Sequence, residues 1–487
     1  MDLETSAFRA ALEALVEVRH ARARALSGFH AGARGPPDLA RLASRARALG
    51  TPEPALAVRE VLSSSSESEQ PKLRTLLAAL VEELGEQAAA SARMRELALL
   101  GSGSVSVELE RISLADAMRE LPVCTERVRR AQLARGIDAA TLGLEPAQAE
   151  RVERRLEARS RLDLGAEAAW SALNGFDAAA LASEAEGLLR QTRDAAMDLL
   201  GFRFRRARLG AGQSARHDFL FALELCDLRE HLPPHLAQPL ADELPRGLGF
   251  PPRAGGEIAV DAEPRAGRFP GLRVERFSSE QVAVVCAPLA SPPDLERLAH
   301  GLGRALHLAH LEGDALDRLL PETSRVRASG MVLARPLGEP AWMQRALRLP
   351  ARVAHELSQA FAIRALFALR EAAARFLSAR ELESMGPSAE LADRYRSRMN
   401  AATGVDWGQA GAFELDLPNA AAELSAFFLA ERLGRALLEG FNEDWWRNPH
   451  ANELLRAFWS PEAELESLLG ASVSLGEMAK RYLERAG

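Results

Sequence analysis

Lysine is almost missing from this sequence. It occurs only at Lys72 and Lys480, and tyrosine occurs only twice in 487 residues. Arginine therefore carries nearly all the positive charge, which reads as codon bias from a GC-rich genome and not as a binding signature. Aromatic residues make up 5%. The three cysteines, Cys124, Cys226 and Cys286, are odd in number and far apart. They form neither a disulfide framework nor a metal-ligand pattern, and they predict reduced thiols in a cytoplasm. No run of about eighteen apolar residues exists, so no membrane span is expected. Nor is there an excess of positive charge. The net charge of -7 gives no strong pull toward nucleic acid or an anionic membrane. The opening segment, "MDLETSAFRAALEALVEVRH", reads as an amphipathic helix with early acids, not as a basic and then apolar leader, and a cytoplasmic location is expected.

What the sequence does contain is helix-forming residues. Ala, Leu, Arg and Glu dominate, and such unbranched side chains lose little rotamer freedom in a helix. Hydrophobic residues make up 47% and charged residues 26%, an ordinary globular balance. The length exceeds what one core supports. The composition divides it into a helical region over 1–112, a second helical region over 113–246, and a third domain over 247–487. Helical periodicity covers residues 3 to 29. "GSGSVSVELERISLADAMREL" reads as a linker followed by a helix with Ser113 as N-cap. "FRFRRARLGAGQSARHD" carries a Gly-x-Gly among arginines, but short glycine motifs need a strand before and a helix after, so it reads as a helix end and loop. The one convincing strand region is 257–287, where "GEIAVDAEP", "GLRVERFS" and "EQVAVVCAP" predict a small sheet.

The sheet leads into "LERLAHGLGRALHLAH" (295–310), which reads as one helix. In a zinc-peptidase helix of the H-E-x-x-H type, histidines at i and i+4 share a face and hold the metal, and the Glu at i+1 is the general base. Here His300 stands at the first ligand position. Gly301 stands where the base should be, and Arg304 where the second histidine should be. Glycine has no side chain to take a proton, and guanidinium has no lone pair to give a metal. Two glycines inside a helix also predict that something packs closely against it. His300 and His307 share a face but lie about 10 Å apart along the axis. That is too far for one ion, so His300, His307 and His310 read as structural histidines. "VAHELSQ" (353–359) offers a chance near-match to H-E-x-x-H with Gln359 in the last place. Trp445, Trp446 and Trp459, with Trp407 upstream, could line a groove, although anchoring helices in a core is the commoner role.

"AHGLGRALHLAH" resembles the active helix of the thimet oligopeptidase/oligoendopeptidase F family of zinc metallopeptidases, whose usual form is close to H-E-x-G-H-A-x-H. Gly303, Ala305 and His307 fit that pattern. "IAVDAEPRAGRFPG" (258–271) is similar to the family's D-x-x-x-R-x-G-K turn, with Asp261, Arg265 and Gly267 matching and Arg268 in place of the lysine. "PETSRVRASGMVLARPL" (321–337) resembles the segment supplying the third ligand, with Glu322 as its counterpart. The segment 353–376 and the later "LADRYRSRMNAATG" and "LSAFFLAERLGRALLEGF" resemble the helices that close the cleft.

The resemblance implies a mainly α fold, with two helical lobes around a deep cleft and a small sheet beside the former zinc helix. The departures from it point to lost catalysis. Base and second ligand are gone, and "GAFELDLPNAAAELSAFFLAERL", the region from which the family takes its oxyanion donors, has no Tyr or His. The expectation is a pseudopeptidase that binds a peptide or protein partner in the retained cleft, with no catalytic residue and no metal or other cofactor. His300, Arg304, His307 and Glu322 are its candidate cleft residues, and Arg304 and Glu322 are expected to form an ion pair in the old metal pocket. Self-association or pairing with an active paralogue is compatible with this. Two other readings remain: an active zinc peptidase using His300, Glu322 and non-standard ligands, and an assembly subunit whose cleft is closed by its own side chains.

Overall fold

The structure, a computed structural model, describes residues 6–210, 215–250, 257–278, 280–319, 323–408 and 411–487. Helices dominate, as the composition dictates. Helix α1 (Ser6–His30) opens the chain. Among the helices after it, α2 (Gln70–Ala88), α3 (Glu145–Ser160) and α4 (Arg193–Arg206) pack into one body.

The segment expected to be a linker is instead a hairpin, β1 (Ser104–Val107) paired antiparallel with β2 (Glu110–Ser113). The period-two pattern of "SVSV" explains the difference. Val105 and Val107 point inward, at 1% and 0% exposure, and Ser106 between them points out. Ser113 still caps the next helix, accepting from the Asp116 N–H at 3.0 Å.

The second sheet forms where the β-branched residues predict it. It comprises β3 (Glu257–Asp261), β4 (Leu272–Arg276) and β5 (Gln281–Cys286), in the order β3-β5-β4. β5 lies between a parallel and an antiparallel neighbour. Helix α5 (Pro292–His310) lies against this sheet through Leu298, Leu302 and Ala305. Its start is sharply defined. Two prolines occupy the first turn, and the Asp294 carboxylate accepts from the Ser291 N–H at 3.1 Å.

After α5 come α6 (Thr323–Ala334), the long α7 (Ala351–Met385), α8 (Ala389–Thr403), α9 (Leu417–Phe441), α10 (Ala451–Trp459) and α11 (Leu475–Ala486). At 35 residues, α7 runs for about 50 Å. Its first turns bury Ala354, Leu357 and Phe361 beside Trp342. Its remainder, from Ala362 to Leu382, joins α8 and α11 in the core that also holds the N-terminal helices. α6, α9 and α10 share a separate core with Leu306 of α5. The fold is therefore mainly α, with two helical bodies joined along α7 and a small sheet beside α5.

Candidate functional site

The two glycines of α5 are close-approach positions. A Cβ on Gly301 would lie 2.7 Å from Leu272 Cδ1 and 2.9 Å from Val284 Cγ1. A Cβ on Gly303 would lie 2.5 Å from the Ser329 carbonyl oxygen and 2.9 Å from Gly330 Cα. Gly330 in turn faces His300, whose Nε2 would be 2.8 Å from a Cβ there. Sheet on one side and α6 on the other therefore clamp the helix. At residue 301, where a general base would stand, the side-chain space already belongs to the sheet.

His300 and Arg304, one turn apart, are half-buried. Burial holds the His300 imidazole down at about 3, and the positive charges of Arg304, Arg327 and Arg364 act in the same direction. His300 is thus neutral near pH 7. Burial likewise lowers Arg304 to about 10, with Arg327 and Arg273 adding to the effect and Glu275 and Glu423 opposing it. The neighbouring arginines each have a carboxylate. Arg273 meets Glu275 at 3.2 Å on β4, Arg327 meets Glu423 of α9 at 3.7 Å, and Arg364 of α7 pairs with Glu296 of α5. Arg327 also donates to Asn419 Oδ1 at 3.0 Å. Arg304 has no hydrogen-bond or ion-pair partner among the described residues, and its Nε is buried. Its expected partner, Glu322, lies outside the described residues.

One turn further on, the surroundings change. His307 is 1% exposed, so it is a core residue and not a cleft residue. Its ring stacks on Trp459, with centroids 5.6 Å apart. The Ser329 hydroxyl donates to the Arg325 carbonyl at 3.0 Å and accepts from Trp459 Nε1 at 2.9 Å. That leaves a lone pair for a proton on His307 Nδ1, also at 2.9 Å. His310 Nδ1 reaches the Leu306 carbonyl at 3.1 Å, and its ring lies against Phe250. Both histidines are structural, and Trp445 and Trp459 are core anchors.

The other sequence features resolve in the same way. Asp261, at the end of β3, accepts from Arg265 at 2.6 Å and from Arg268. The fully buried Arg268 also donates to the Asp261 and Cys286 carbonyls at 3.0 and 2.6 Å, and Gly267 takes the positive φ of +70° between them. That motif is a brace tying β3 to β5. In "VAHELSQ", His355 is exposed, Glu356 pairs with Arg206, and Gln359 donates to the Ala486 carbonyl. The three residues point to three different places. In the arginine-rich segment, Arg203 is held by Asp227 and the Ala222 carbonyl, and residues 211–214 lie outside the described residues. Burial pushes the Cys226 thiol up to about 12 and Cys286 to about 11, which makes neither a nucleophile near neutral pH.

These residues do not fit a zinc site. His300 offers one nitrogen. The next inward position carries a cation, and Arg327 and Arg364 add more positive charge around it. Among the described residues, no three His, Cys, Asp or Glu side chains converge to hold a metal ion.

What sequence reasoning missed is the lining across from α5. A cavity of about 280 Å³ is bounded by Arg216, Arg375, Tyr395, Trp407, Glu414 and Glu423, among others. Arg216 lies over the Trp407 ring, 4.8 Å from its centroid. Arg375 meets Glu371 at 3.4 Å, and burial pushes the Glu371 carboxyl up. Glu423 belongs both to this cavity and to the Arg327 pair, so the two places adjoin. A signal was present: Arg364, Glu371 and Arg375 lie at spacings of seven and four in a largely apolar stretch of α7, which puts them on one face.

No protein-family model matches the chain, and no curated protein does. Solved structures do. PZ peptidase A with an inhibitor matches at TM-score 0.63 and 14% identity over 99% of this chain and 96% of that one. A structure described as an oligoendopeptidase F matches at TM-score 0.62 and 15% identity over 98% and 96%. Another described so, from Bacillus anthracis, gives 0.56 and 13% over 99% and 86%. The chain has the oligoendopeptidase fold. No described helix is long and apolar enough to cross a membrane.

Proposed function

We propose that this protein is a pseudopeptidase: an oligoendopeptidase-fold chain that binds a peptide in its cleft and does not hydrolyse it. The observation that carries this reading is the pair Gly301 and Arg304. The base position has no side chain and no room for one, and the second-ligand position carries a cation. A hydrolytic zinc site needs donor atoms for the metal and an acceptor for the proton of the attacking water, and both are replaced. The adjoining cavity supports binding over a cleft closed by the chain itself. Its lining is rich in charged groups and includes an aromatic platform, not the apolar plug that self-filling would need. A peptidase of the same fold with an inhibitor supports ligand binding, by analogy of fold alone.

The test is incubation of the full chain with a mixed oligopeptide pool, with and without added zinc. Mass spectrometry follows cleavage, and thermal shift follows binding. The expected result is a raised melting temperature with some peptides and no new termini. Cleavage that a chelator stops, and that His300→Ala abolishes, would overturn the reading in favour of a zinc peptidase with unusual ligands.

A further inference from the structure

We propose that the cleft grips its peptide by a carboxylate, seated on the guanidinium of Arg304, which has no partner among the described residues. This rests on the peptide-binding reading and adds the chemistry of recognition.

The chain's own treatment of arginine sets the comparison. Its four fully buried arginines each donate to a carboxylate or to backbone carbonyls. Arg130 donates to Asp218 at 2.6 Å and to the Cys124 carbonyl at 2.8 Å. Arg203 has Asp227, and Arg268 has Asp261 and two carbonyls. Arg370 donates to the carbonyls of Ala402, Ala401 and Leu189. Arg304 breaks the pattern. It is half-buried and donates to nothing among the described residues.

A desolvated cation without a counter-ion is costly, and the cost is relieved by whatever anion comes to it. The surroundings define that anion. Arg273, Arg327 and Arg364 are each matched by Glu275, Glu423 and Glu296, and His300 is neutral. Among the described residues of this cluster, one positive charge is left over, at Arg304. A monoanion balances it, whereas a dianion such as a phosphate ester would leave an excess of negative charge among three glutamates. A planar carboxylate also matches the guanidinium fork, which can donate two parallel hydrogen bonds. Within a peptide, that group is either the C-terminal carboxylate or an acidic side chain.

Titration calorimetry with three N-acetylated hexapeptides of alanine and leucine distinguishes these sources. One has a free C-terminal carboxylate, the second is its amide, and the third is the amide with a central glutamate. The expected result is that one or both acidic peptides bind roughly ten- to a hundredfold more tightly than the neutral amide. Which of the two does so names the source. Arg304→Met should erase that preference and leave the neutral peptide unchanged, and Arg304→Lys should retain part of it. Should Arg304→Met fail to fold, the wild-type preference and the lysine variant still decide. Equal binding of all three peptides, unaffected by the variants, would overturn the carboxylate anchor and leave peptide binding standing. Binding by none of them would overturn both.

Discussion

Two neighbouring turns of α5 carry histidines on one stripe and have opposite fates. In the second turn, His307 and His310 lie under Trp459 and Phe250, with their Nδ1 atoms engaged. In the first turn, His300 faces Arg304, and Arg304 faces no described partner. Residue type and spacing do not distinguish the two turns. What distinguishes them is coverage: α10 closes over the second, whereas His300 and Arg304 of the first stay half-buried. The same contrast separates Arg268, which braces two strands, from Arg304, which braces nothing among the described residues.

The comparison breaks most visibly at the paired arginine. Arg268→Met leaves Asp261 and the Cys286 carbonyl without their donor, and should lower stability by about 3–5 kcal/mol in urea unfolding. A small effect would mean that the turn is not a brace. Next in size is Gly303→Val, whose Cβ meets the Ser329 carbonyl and Gly330 Cα. It should cost about 3 kcal/mol by forcing α5 and α6 apart, read as a lower urea midpoint. An unchanged midpoint would show that the two helices can separate freely.

The third prediction concerns pH. His307 is held at about 3 in the folded chain by burial and Arg325, below the 6.5 of an ordinary imidazole. As pH falls below 6.5, the unfolded chain takes up a proton that the folded chain refuses. Stability is therefore lost from about pH 6.5 downward, by about 2 kcal/mol at pH 5 for this one histidine. In His307→Gln, the drop in urea midpoint between pH 7 and pH 5 should shrink accordingly. An identical drop in variant and wild type would mean that His307 is not locked in its neutral form.

The smallest effect has the opposite sign. Arg304→Met removes a cation that no described residue compensates, so it should stabilise the free protein by about 1 kcal/mol, seen as a rise in melting temperature. Destabilisation would instead show that Arg304 has a partner inside the chain, such as Glu322.

Much of this was legible in the sequence. The β-branched runs located the three-stranded sheet, and Gly301 and Gly303 foretold close packing. Asp261, Arg265 and Arg268 could be matched as a motif, but their role as a brace needed the Cys286 carbonyl from another strand. The hairpin at 104–113 was hidden because its strands are only four residues each and rich in serine. The burial of His307 could not be read locally, because the ring that covers it comes from α10. Nor could the cluster around Arg304, since Arg273, Arg327 and Arg364 reach it from a strand and two different helices. Spacing rules work within an element, whereas charge balance in a cleft is a sum over many.

The most direct test of lost catalysis is a zinc titration of metal-free protein by calorimetry, alongside His300→Ala. The account predicts no stoichiometric, tight zinc binding in either. Tight stoichiometric zinc in the wild type that disappears in His300→Ala would contradict it and make α5 a working metal helix.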